Sequence, residues 1–132
     1  MMYALLAFRP EVTPARANHL LYLASQLTYR QLVVLAITND DGNRERLRHR
    51  SYRDDAEAIA QLGGEGVALL IEIYDIYQRG LLSETGGETW ICVADVNPRA
   101  MRLQGSAYAL TALMGLATIS AQDRVPIYAA LT

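Results

Sequence analysis

Five arginines, Arg44, Arg46, Arg48, Arg50 and Arg53, fall within ten residues and are opposed there only by Glu45. Guanidinium groups pair bidentately with phosphate or carboxylate, so this segment is the candidate site for an anionic partner. Its plain alternative is a solvated surface stretch. Glu72 and Asp75 are three residues apart and would share a helix face, the local geometry of a carboxylate pair; with no histidine near them they read as an exposed charged face. His49 lies inside the arginine segment without a second histidine, and His19 reads as an edge or surface residue. Cys92, set between Trp90-Ile91 and Val93, reads as a small buried hydrophobe, because a reactive thiol needs electropositive surroundings and the local sequence is acidic. Tyr74 and Tyr77, with Tyr52, could line a pocket for an aromatic ligand, although their helical spacing makes them core residues first. No nucleophile elbow, phosphate-binding glycine loop or histidine-based metal motif is present, so no enzyme, cofactor or metal is expected.

These residues must be positioned by helices. Thr13-Pro14 has the form of a helix start, and Ala17, Leu20, Leu21 and Ala24 recur behind it at helical spacing. Thr28-Tyr29-Arg30-Gln31 reads as a capping box opening a second helix through Leu32, Val33, Leu35 and Ile37, which stops at the turn signal Asn39-Asp40-Asp41-Gly42. The arginine-rich stretch 43–53 is either a loop or the exposed start of a helix. A helix within 51–62 has Asp54, Asp55 and Glu57 near its N-terminal end and is broken by Gly63-Gly64. Another begins at Glu65, carries Val67, Leu70, Ile71, Tyr74 and Tyr77 along one face, and closes at Gly80. Thr89 to Val93 is the segment with strand character. Asn97-Pro98 is either the tip of a hairpin returning through Met101 to Leu103 or the start of a helix. A helix follows over about residues 105–116, and Ser120 caps a last one with Asp123 placed to complete the box.

The chain has 132 residues, enough for one domain with a single core, and 52% of them are hydrophobic, which excludes disorder. One cysteine excludes an internal disulfide and suits a reducing, cytoplasmic setting. Leu103 to Gln122 carries no charge, but its polar residues and Gly105 and Gly115 favour a buried or subunit-facing helix over a membrane span. All twelve basic residues are arginine. Between Asp54 and Asp95 nine acids face Arg79 alone, so a positive spot and a broad negative face are expected.

The order of these elements resembles the winged-helix superfamily, and within it the MarR-like regulators. Leu27-Thr28 with Gln31-Leu32 looks like their helix start, residues 52–62 and 65–79 like the helix-turn-helix, Arg79-Gly80-Leu81-Leu82 like the end of the recognition helix, and Thr89 to Leu103 like the wing. The resemblance covers about residues 14–116. The segment matching the recognition helix carries Glu65, Glu72 and Asp75 against one arginine, the aspartate-x-arginine of the wing is absent, and the net charge of −2 opposes duplex binding. The chain is therefore expected to be a single domain, residues 1–132, mainly α with a small β-hairpin (α+β) and winged-helix-like. Its expected function is that of a non-enzymatic protein-interaction or regulatory module, homodimeric through its apolar first and penultimate helices, with Leu20, Leu113 and Met114 in the interface. The alternative is a DNA-binding transcription regulator whose phosphate contacts come from Arg44, Arg46, Arg48, Arg50 and Arg53, with Arg99 and Arg102 in the wing.

Overall fold

The computed structural model describes residues 14–40, 45–87 and 89–132. Among them are five α-helices and one two-stranded antiparallel sheet, a mainly α fold with a small β-hairpin. Helices α1 (Pro14–Gln26), α2 (Tyr29–Asn39) and α3 (Ala56–Gln78) precede strand β1 (Leu82–Glu84); strand β2 (Met101–Leu103) and helices α4 (Ser106–Leu113) and α5 (Ala121–Leu131) complete the order. The Thr13 cap, Asp41, Gly42 and Arg44 lie outside the described residues.

The capping box forms as the sequence predicts: the Thr28 hydroxyl accepts the Gln31 amide at 3.1 Å, and Gln31 Oε1 accepts the Thr28 amide at 3.0 Å. Every residue from Gln31 to Thr38 is buried, because α2 is apolar all round and α3, α4, α5 and β2 all pack against it. Leu35 and Ile37 are fully buried, and each such side chain contributes about 1.5–3 kcal/mol.

Helix α3 is capped by Asp55, whose carboxylate accepts the Ala58 amide at 3.1 Å. Gly63, at φ 69° and ψ −176°, kinks it into the two pieces expected on either side of Gly63-Gly64. It ends in a Schellman turn: Gly80, at φ 77°, donates to the Tyr77 carbonyl and Leu81 donates to the Ile76 carbonyl, both at 3.1 Å. The core face of its second piece differs from the expected one. Gly66, Leu69, Leu70, Ile73 and Ile76 are buried, whereas Val67, Tyr74 and Tyr77 are half-buried and Ile71 is exposed. Both stripes are apolar at helical spacing, so periodicity alone does not choose between rotations that differ by about one residue.

Thr89 to Val93 is not a strand. The hairpin pairs Leu82 with Leu103 and Glu84 with Met101, and residues 89–92 belong to its long connection. Their backbone groups bond to side chains instead of a ladder. The Trp90 amide donates to the Tyr77 hydroxyl, the Ile91 and Cys92 amides donate to Asp95, and the Trp90 and Ile91 carbonyls accept the Tyr74 hydroxyl. Both readings of Asn97-Pro98 hold in part, since Pro98–Ala100 is one 3-10 turn and β2 begins directly after it. The uncharged stretch to Gln122 is divided by Gly115, at φ 65°, into α4, a 3-10 turn over Leu116–Thr118 and the first turn of α5. Among the described residues no single helix is long and apolar enough to cross a membrane; α1 and α2 would reach that length together but meet at 114°.

Candidate functional site

The described part of the arginine segment, residues 45–53, is a loop, and it is clamped in place. Its backbone bonds to three neighbours: the Arg48 amide donates to the Leu131 carbonyl at 2.6 Å, the Tyr52 amide to the Ala94 carbonyl at 2.9 Å, and the Arg99 amide to the Arg48 carbonyl at 3.0 Å. The guanidinium groups find partners as well. Arg48 donates to the Arg50 and Ser51 carbonyls and, at 2.6 Å, to Asp55, while Arg50 reaches the same carboxylate at 2.8 Å. The Arg48 bond and the Ala58 amide hold the Asp55 carboxyl below the usual carboxylate range. Arg53 donates to Asp95 at 2.6 Å, and Arg46 stacks over the Tyr128 ring at 4.1 Å.

Of the two arginines assigned to the wing, Arg99 reinforces this clamp and Arg102 bonds beside it. Arg99 donates to the Leu47 and Glu45 carbonyls at 3.1 and 2.7 Å, and Arg102 to the Arg99 and Met101 carbonyls at 3.1 and 2.7 Å. Topology brings six of the seven candidate arginines into one region, Arg44 lying outside the described residues. Each of the six has an intramolecular partner, so a phosphate would have to compete with carboxylates and carbonyls already in place.

Three of the four acids of α3 are engaged as well. Glu72 pairs with Arg30 and accepts the Thr28 hydroxyl at 3.2 Å; Asp75 accepts from Gln31 at 2.9 Å and from Arg79 at 3.0 Å; Glu65 pairs with Arg30 at 3.2 Å. The bond to Glu72 holds the Arg30 guanidinium above its ordinary value. Glu72 and Asp75 are thus half-buried braces between α2 and α3, in place of the exposed charged face expected of them.

His19 and His49 are exposed, and no group among the described residues could hold a metal ion. Cys92 is exposed, with the Arg53 guanidinium 3.7 Å from its sulfur, which corrects its reading as buried: the loop turns Trp90 inward and leaves Cys92 outside. Tyr74 and Tyr77 stack 5.9 Å apart and Tyr77 lies 4.7 Å from Trp90, whereas Tyr52 is buried beneath Arg48, so the three tyrosines line no common pocket.

Leu20, Leu113 and Met114, expected at a dimer interface, are instead buried within the single chain, because α1 and α4 pack against each other and α4 against α2. The exposed large apolar side chains of these two helices are Tyr22 and Tyr108.

Several large apolar side chains are left open to solvent. Ile71 on α3 is 53% exposed, and Ile91 in the long connection is 78% exposed. Tyr74, one turn beyond Ile71, donates its hydroxyl to the Ile91 carbonyl at 2.7 Å and so ties the Ile91 backbone to α3. Half-buried Val67 extends the Ile71 face by one turn. Helix α3 contains no basic residue. No family model, curated protein or solved structure matches this chain. The site therefore stands on its own geometry. Sequence reasoning missed it by assigning Ile71 to the core; the competing stripe of Gly66, Leu69, Ile73 and Ile76 was the available signal.

Proposed function

We propose that this protein is a non-enzymatic protein-interaction module on a winged-helix-like frame, with Ile71, Ile91 and Val67 as its contact face. The observation that carries the reading is that α3, which the resemblance matches to a recognition helix, turns Glu72 and Asp75 onto Arg30, Gln31 and Arg79 and offers isoleucine to solvent. A helix meant for a DNA groove would bring donors to base edges and cations to phosphates. An apolar patch fixed by a tyrosine hydrogen bond suits a protein surface. The element order, with α3 kinked at Gly63 and followed by a hairpin, supports the winged-helix-like and MarR-like comparison; a cytoplasmic setting and a homodimer belong to the same proposal.

The partner to test first is a second copy of the chain. Sedimentation over a range of concentrations should show self-association that Ile71→Glu abolishes, while fluorescence anisotropy with random duplex DNA should show no binding at low salt. Binding to duplex that weakens steeply with salt would overturn the reading and favour the transcription-regulator alternative.

A further inference from the structure

A cleft of about 610 Å³ lies on another side of α3 from Ile71, between the two pieces of that helix, the start of α2 and the last turns of α5. The Gly63 kink creates it by setting the helix piece that carries Leu62 at an angle to the piece that carries Leu69. Leu62, Leu69, Ile127 and Ala130 give it one aliphatic wall, and Arg30, Arg48, Tyr52, Gln61, Glu65 and Thr132 line the rest with polar groups.

Arg30, Arg48 and Tyr52 are incompletely used. Tyr52 is 2% exposed, and its buried hydroxyl has no hydrogen-bond partner among the described residues. A buried hydroxyl left unpaired is destabilising, so a polar group is called for at that place. The Arg48 guanidinium lies over the Tyr52 ring at 4.4 Å; its Nε and Nη2 are bonded, and its Nη1 has no partner among the described residues. Arg30 commits Nε to Glu72 and Nη1 to Glu65, with Nη2 likewise unpartnered.

We propose that the cleft binds a small aliphatic carboxylate. Its carboxylate would accept from Arg48 Nη1 and the Tyr52 hydroxyl, with Arg30 Nη2 as a further donor, and its hydrocarbon chain would lie along Leu62, Leu69 and Ile127. A singly charged head fits better than a phosphate. Asp55 and Glu72 already neutralise much of the two arginines, and Glu65 at the rim opposes a second negative charge. The aliphatic wall favours a flexible chain, and the volume suits a ligand of modest size. This site shares no residue with the Ile71 face, and its failure would leave the interaction reading untouched.

Titration calorimetry of the full chain with octanoate, and with octanamide as the neutral control, tests the proposal. Octanoate should bind, and octanamide should bind about tenfold more weakly or less, since it forfeits charge-assisted hydrogen bonds. Ala130→Phe should fill the cleft and abolish binding. Tyr52→Phe removes one oxygen that has no protein partner, so it should leave thermal stability unchanged or raised while weakening octanoate about tenfold. No binding at millimolar octanoate, equal affinity for the amide, or unchanged affinity in Tyr52→Phe would overturn the site. If Ala130→Phe fails to fold, Tyr52→Phe decides alone.

Discussion

Replacing Gln31 by leucine is expected to cost about 3 kcal/mol of folding stability. Gln31 is buried at the start of α2, and both ends of its amide are committed. Oε1 accepts the Thr28 amide at 3.0 Å, and Nε2 donates to the Glu72 carbonyl at 3.0 Å and to the Asp75 carboxylate at 2.9 Å. A neutral hydrogen bond contributes about 1 kcal/mol net and one to a carboxylate about 2, so the three together contribute about 4. The added apolar contact of leucine offsets about 1 kcal/mol of that loss. Urea unfolding followed by far-ultraviolet circular dichroism would read the change as a lower midpoint at unchanged slope. Gln31→Glu is the second arm. It keeps an acceptor for Thr28 but sets a carboxylate oxygen against Asp75, so at neutral pH it should be less stable than Gln31→Leu. Its deficit should shrink as acid protonates the new carboxyl and restores a donor. A loss below about 1 kcal/mol for Gln31→Leu, or wild-type stability of Gln31→Glu at neutral pH, would refute the role of Gln31 in locking α2 to α3.

Gly80→Ala should cost about 1 kcal/mol by thermal melting, because Gly80 holds a left-handed φ of 77° at the end of α3. Asp95 is pushed up by burial, but the Ile91 and Cys92 amides and Arg53 outweigh that effect and leave its carboxyl below the usual range. Its contribution to stability is therefore present above the ordinary carboxylate range and lost as pH falls through the lowered native value; Asp95→Asn should be less stable than wild type at neutral pH, and the two should converge in acid when unfolded at a series of pH values. Exposed Cys92 should react with a disulfide reagent such as DTNB in the native protein, at a rate little changed by denaturant, and slow reaction that waits on unfolding would contradict its position.

Much of the fold was legible in the sequence because it rests on local signals. The Thr28 box, the Gly63-Gly64 break, the Gly80 cap and the Ser120 cap each involve residues a few positions apart, and all four appear; only the second half of the Ser120 box is replaced, as Asp123 takes the Tyr29 hydroxyl at 2.6 Å. The misreadings concern choices made by distant residues. Thr89 to Val93 has strand composition, yet Tyr74, Tyr77 and Asp95 claim its backbone groups. The arginine segment looked like an anion site because the sequence does not reveal that Asp55, Asp95 and the Glu45 and Leu47 carbonyls would meet it. The Ile71 face and the cleft beside Tyr52 depend on helix rotation and packing, for which the chain gives two equally apolar choices.

Helix α2 has no solvent side over eight consecutive residues, Gln31 to Thr38. A saturation mutagenesis profile across it should therefore lack the familiar rise and fall every three or four positions and show one unbroken trough of intolerance to charge. Its amide hydrogens should exchange with solvent only when the whole molecule opens, so the slowest deuterium uptake along the chain should lie there and report the global unfolding free energy. The middle of α2 thus serves as an internal gauge of how intact the entire fold is.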